Sequence, residues 1–213
     1  TWLRTRKSGV RISSAAPLMN MKKIYLQKKF DFVVPNDVIQ SLWNMHTLQP
    51  RPRHGRSIKN KDEDSIFVTE FQTSPMLETK SFATKRSIDI EFYKIRNKWI
   101  FNNSDTELVN NFLSQYFNSF FQFRIDILLA GKQLNWHDNH PYPRVFIPMH
   151  ENVCKFSIKN NVEQSSNIYN LNECWMWDVR ETHRVDNTSS PNDRIMACFS
   201  IDPDIEYKAD IFV

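Results

Sequence analysis

Four of the six histidines, His137, His140, His150 and His183, fall in the C-terminal half of the 213-residue chain. Two of them head blocks whose residue types suit metal chemistry. The first block runs Leu134-Asn-Trp136-His137-Asp138-Asn139-His140-Pro-Tyr-Pro-Arg144-Val-Phe146-Ile-Pro148. The second runs Asn172-Glu173-Cys-Trp175-Met-Trp177-Asp178 and continues through His183, Asn187 and Asp193 to Arg194. In each, a histidine just outside a strand is followed by an arginine on a strand. Imidazole nitrogens suit iron(II), and two of them with a carboxylate or water leave positions open for a bidentate ligand and dioxygen. An arginine fork suits the distant carboxylate of a dicarboxylate, which it grips by two parallel hydrogen bonds. Two histidines and two arginines would serve one iron and one 2-oxo acid.

Such groups need a scaffold that brings distant segments together. From Ile24 the chain reads as a short strand, after which Pro35-Asn36-Asp37 starts a helix through Leu42, Trp43 and Met45, with Asn36 or Asp37 as its cap. Residues 49–64, with two prolines, a glycine and alternating charge, read as a surface loop, and His46, His54 and His150 as ordinary solvated loop residues. Mixed strand and turn signals fill 66–84, and 88–95 alternates as a strand. Ser104 and Glu107 stand in capping-box spacing ahead of one helical face made by Leu108, Phe112, Leu113, Tyr116, Phe117 and Phe120. Phe121, Phe123, Ile125, Ile127 and Leu129 then alternate through a strand that Gly131 ends. Short β-type runs follow at 144–149, 153–159, 174–178 and 195–201, separated by Asn, Ser, Pro and Asp. This spacing predicts a mainly β jelly roll, cupin-like, with flanking helices: one domain over residues 21–213.

Composition narrows the function classes. The only glycines are Gly9, Gly55 and Gly131, so neither a dinucleotide-binding Gly-x-Gly-x-x-Gly nor a phosphate loop can be written. Cys154, Cys174 and Cys198 form no Cys-x-x-Cys pair, which predicts buried free thiols in a reducing compartment. Sixteen Phe, six Trp and 40% hydrophobic residues are ample for a core, and no apolar run reaches the roughly twenty residues of a membrane span. Residues 1–18 carry Arg4, Arg6, Lys7 and Arg11 with no acid; setting those four aside, basic residues equal the 24 acidic ones. The body is thus neutral and gives no nucleic-acid footprint. Residues 1–20 read as a leader, a remnant of cloning or of an upstream frame, with a cytoplasmic location expected, or an organelle if 1–18 act as a presequence.

Arg144-Val-Phe-Ile-Pro148, Asn172-Glu173-Cys-Trp175, Asp178, His183, Asn187 and Arg194 together resemble the aspartyl/asparaginyl β-hydroxylase branch of the iron(II)/2-oxoglutarate dioxygenases, which includes bacterial proline hydroxylases. The resemblance covers about residues 121–202. It implies a double-stranded β-helix with its core over about 88–202, iron(II) on His137 and His183, and Arg194 on the C5 carboxylate of 2-oxoglutarate. Arg144 would help hold that co-substrate. Asp138, or Asn139 or a water in its place, would complete the metal site, and His140 and Trp136 would lie on the substrate side. The implied reaction consumes O2 and hydroxylates an unactivated C–H bond of an amino acid, free or within a peptide or protein, releasing carbon dioxide and succinate. The chain departs from the family pattern at Asn139, at Phe146 in place of a histidine, and at Asn172 in place of a glycine. Those departures leave two other readings open, a non-catalytic jelly-roll binding protein and a degenerate dioxygenase. Trp136, Trp175 and Trp177 are simplest as core or pocket-wall aromatics, and Glu173 as structural.

Overall fold

Why strands dominate is visible where the chain must bury both faces of a sheet. In the computed structural model, residues 144–148 and 196–201 are almost wholly buried, the continuous apolar pattern of strands covered on two sides. The structure describes residues 27–48, 52–54, 66–72, 98–100, 102–137, 142–158, 167–177, 179 and 182–201. The leader, the 88–95 strand, Asp138, Asn139, His140 and Asp178 lie outside these. The elements are β1 (Gln27–Lys29), α1 (Asn36–Leu48), β2 (Pro52–His54), β3 (Ile66–Glu70), α2 (Ser104–Tyr116), β4 (Phe120–Leu128), β5 (Gln133–His137), β6 (Arg144–Pro148), β7 (Asn152–Ile158), β8 (Asn167–Tyr169), β9 (Trp175–Trp177), β10 (His183–Asp186) and β11 (Arg194–Ile201).

Among the described residues the strands form a seven-stranded sheet, ordered β1-β9-β6-β11-β4-β3-β2, and a four-stranded sheet, β5-β10-β7-β8, with antiparallel pairing throughout. From β4 to β11 the chain passes back and forth between the two sheets, which is the winding of a double-stranded β-helix. Two apolar layers result. Val38, Ile39, Leu42 and Met45 of α1 and Val109, Phe112 and Leu113 of α2 pack on the outer face of the large sheet, against Ile125, Val145, Ile147, Met176, Ala197 and Phe199. The opposite face supplies Phe146, Trp177, Met196 and Cys198 to the barrel interior, where Cys154, Phe156 and Val185 of the small sheet meet them.

Local chemistry shifts several boundaries. The cap of α2 is Asn103, whose side chain accepts from the Thr106 backbone N–H while the Thr106 hydroxyl accepts from the Asn103 N–H, so the capping box lies one residue before the Ser104–Glu107 spacing. The helix ends at Tyr116 and Phe120 starts β4. His46 lies in the last turn of α1 and His54 on β2, not in loops. In β4 the expected alternation breaks at Gln122, at φ +57°, where the register to β11 slips between Cys198 and Ser200. That bulge lets Phe120 and Phe123, three residues apart, both pack toward the helices, while Phe121 meets Tyr142.

Asn172 explains its own departure from glycine. It sits at φ +68°, a left-handed conformation that asparagine tolerates better than other residues with a Cβ. Its side-chain amide donates to Val34 O at 2.7 Å and Asn36 Oδ1 at 2.8 Å, tying the turn before β9 to the start of α1. Replacing it by alanine keeps the strained backbone and removes both bonds, so Asn172→Ala should cost about 1–3 kcal/mol in urea unfolding. Asn172→Gly should cost less, because it relieves the backbone. An alanine variant with the parent's midpoint would contradict this reading.

Candidate active site in the barrel interior

His137 closes β5 and His183 opens β10, so each histidine lies within a strand rather than outside one. The two are direct cross-strand partners, with Val185 facing Leu134 and Asp186 facing Gln133 further along. Residues 134 and 137 are an odd number apart and on a regular strand would face opposite ways. The slip in register between His183 and Val185 resets the parity. Leu134 therefore packs on the interior core while His137 also faces His183, the ring centroids 4.2 Å apart and tilted by 54°. His183 is buried, its ring 5.7 Å from Phe156. Nδ1 of His137 lies 2.6 Å from Asn135 O. A carbonyl only accepts, so Nδ1 carries a proton, which leaves Nε2 as the nitrogen that could ligate a metal. Trp136 points to the other face, where it is 39% exposed with the Arg184 guanidinium 5.1 Å from its ring; the structure does not bring it to the imidazoles.

Arg194 and Arg144 begin β11 and β6, and both side chains enter the barrel, 2% and 1% exposed. Arg144 pairs with Ser200, far along β11 from Arg194, and the cross-strand pair Phe146–Cys198 lies between the two positions along the strands. The Arg194 guanidinium carbon lies 5.5 Å from the Phe146 ring and 5.1 Å from that of Trp177. Its Nε and Nη2 are buried with no hydrogen-bond partner among the described residues. Cys154 is its polar neighbour, a thiol whose pKa burial pushes up against the pull of the guanidinium. A buried cation held only in this way is costly unless an anion joins it.

Arg144 is differently placed. Its Nη1 lies 3.7 Å from Cys198 Sγ, within a network in which Arg124 Nη2 donates to Asp126 Oδ2 at 3.0 Å and Cys198 Sγ donates to the same oxygen at 3.2 Å. Burial, and then the neighbouring Arg124, push the Arg144 pKa down to about 10. Burial alone would raise the Asp126 carboxyl, but Arg124 and Arg144 outweigh it and hold the pKa below its ordinary 3.8.

Asn187 ties these parts together. Its side-chain amide donates to Leu129 O at 3.2 Å and Asn192 O at 3.0 Å, and its backbone N–H to Lys132 O at 2.9 Å. The end of β10, the segment leading into β5 and the loop leading to Arg194 are thereby clipped at one residue. Neither Asn187 nor the Arg124–Asp126–Cys198 network carries a role that residue spacing alone discloses; only the in-order motif marked Asn187.

No family model and no curated protein matches the chain. Among solved structures it is similar to an oxidoreductase of the 2OG-Fe(II) oxygenase family from Burkholderia pseudomallei, at 14% identity over 80% of this chain and 83% of that chain, TM-score 0.47. A prolyl-4-hydroxylase from Pseudomonas putida matches at 10% identity over 83% of this chain and 92% of that one, TM-score 0.43. A cupin-2 domain protein from Shewanella frigidimarina matches at 11% identity over 48% of this chain and 95% of that one, TM-score 0.28. At such values, chemistry has to be read from the barrel's own side chains. Among the described residues no helix is long and apolar enough to cross a membrane.

The buried network yields a prediction. Asp126→Asn leaves two guanidiniums without their carboxylate and should cost about 3–5 kcal/mol near neutral pH. Because the folded-state pKa is depressed, the carboxylate's contribution is complete above 3.8 and is lost as the pH falls through the lower folded value. Urea unfolding of parent and variant should therefore converge only in that acid range; a gap independent of pH would contradict the assignment.

Proposed function

We propose that the chain, as one domain over residues 21–213, is an iron(II)- and 2-oxoglutarate-dependent oxygenase that hydroxylates an amino acid, free or within a peptide. The observation that carries this reading is the facing pair of imidazoles, His137 and His183, at a 4.2 Å centroid separation on adjacent strands. Two imidazoles are a donor set that fits iron(II) with positions left open. Among the described residues no group of three His, Cys, Asp or Glu converges; the resemblance would complete the site with Asp138, Asn139 or a water and assigns His140 to the substrate side. The unpartnered Nε and Nη2 of buried Arg194 fit the far carboxylate of a 2-oxo diacid.

In this reading His137 is held in its ligating tautomer by Asn135 O, and His183 by its place between β5 and β7. Arg194 binds and orients the co-substrate from the depth of the barrel, and Phe146, Trp177 and Phe156 exclude water around it. Arg144 supplies positive charge on the same interior face. Bound iron would supply the redox chemistry by which O2 and the 2-oxo acid together oxidise a C–H bond.

Anaerobic addition of iron(II) and 2-oxoglutarate should give the weak visible charge-transfer band of their chelate, and aeration should release succinate. His183→Ala should abolish the band. Arg194→Ala should weaken 2-oxoglutarate binding at least tenfold, by loss of a charge-assisted pair worth over 1.4 kcal/mol. No band and no succinate from the parent would overturn the function; unchanged binding in either variant would overturn the site.

A further inference from the structure

Trp177 is the least explained side chain in the barrel. It lies at the end of β9 with no solvent exposure, packed on Phe146 and Phe156 at centroid separations of 4.2 Å each, tilted by 35° to the first and stacked on the second. Apolar packing of this kind accounts for the ring, whose volume phenylalanine would fill in part. It does not account for the indole N–H, which is buried with no hydrogen-bond partner among the described residues. Tryptophan ordinarily finds a partner for that group when buried, because an unmade bond there carries the full desolvation penalty.

The same small volume holds two more donors in that condition, Nε and Nη2 of Arg194, and the guanidinium carbon is 5.1 Å from the Trp177 ring. Three N–H groups with no acceptor among the described residues, two of them on one cation, describe a place built for an anion with several lone pairs. A carboxylate has four such acceptor sites on two oxygens. The position opposite Cys198, where the resemblance expects histidine, is Phe146, which offers no donor; the indole packed against Phe146 offers one.

Resting on the oxygenase reading above, we infer that the Trp177 indole N–H is a second binding group for the far carboxylate of the 2-oxo acid, alongside Arg194. This specifies the co-substrate as a diacid. A 2-oxo acid of the same length with a methyl terminus would leave all three donors buried and unpaired.

The test compares the full chain with Trp177→Phe, loaded with manganese(II), by calorimetric titration with 2-oxoglutarate and with 2-oxopentanoate, together with the melting temperature of the ligand-free proteins. The variant should bind 2-oxoglutarate about tenfold or more weakly, the worth of one hydrogen bond to a charged group. Its binding of 2-oxopentanoate should be unchanged. Its ligand-free melting temperature reports the packing lost with the smaller ring, so the two affinities are compared at a temperature where both proteins stay folded. Equal 2-oxoglutarate affinity in parent and variant would overturn the inference and leave the oxygenase reading standing. No saturable binding by the parent would overturn both. Should the variant fail to fold, the parent labelled with nitrogen-15 serves: one indole N–H resonance should move downfield with 2-oxoglutarate and not with 2-oxopentanoate, and no such shift would overturn the inference.

Discussion

The site depends on one register: His183 opposite His137 across β5 and β10, with a slip immediately after it. Without the slip, the period of two along a strand would turn either Leu134 or His137 out of the barrel. With it, the small sheet fills its core through Leu134 and Val185 and still presents two imidazoles to each other at the strand ends. Asn187 guards this arrangement from the far end of β10, clipping the approach to β5 and the loop before Arg194.

The interior is a compromise between packing and polarity. Strands covered on both faces favour apolar residues, yet Arg124, Asp126, Arg144 and Arg194 are all carried inward. Three of them form a network through Cys198 in which Asp126 pairs with Arg124 while Arg144 meets the thiol. Arg194 is the exception, surrounded by Phe146, Trp177 and a thiol. Buried charge of that sort is weak evidence for stability and stronger evidence for a ligand.

Much of the architecture was legible in the sequence because several strands are apolar runs: β6, β9 and β11 of the large sheet and β7 of the small one match the expected segments to within a residue or two. The helix after Asn103 was legible from its apolar spacing, though its cap was not, because both Asn103–Thr106 and Ser104–Glu107 fit the box. What escaped were the three-residue strands β2 and β8 and, of more consequence, β5 and β10, the strands that carry the histidines. Gln133-Leu-Asn-Trp-His137 and His183-Arg-Val-Asp186 are short and polar, and the bulge between them spoils any alternation. The residue types of the site could be read, while their convergence needed the register.

The central claim is that two imidazoles, distant in the chain, share one ion. X-ray absorption of the full chain loaded anaerobically with iron(II) measures it directly. The account predicts an iron shell that requires two imidazole rings and loses one of them in His137→Ala and in His183→Ala. An iron shell without imidazole, or one that neither substitution alters, would contradict it.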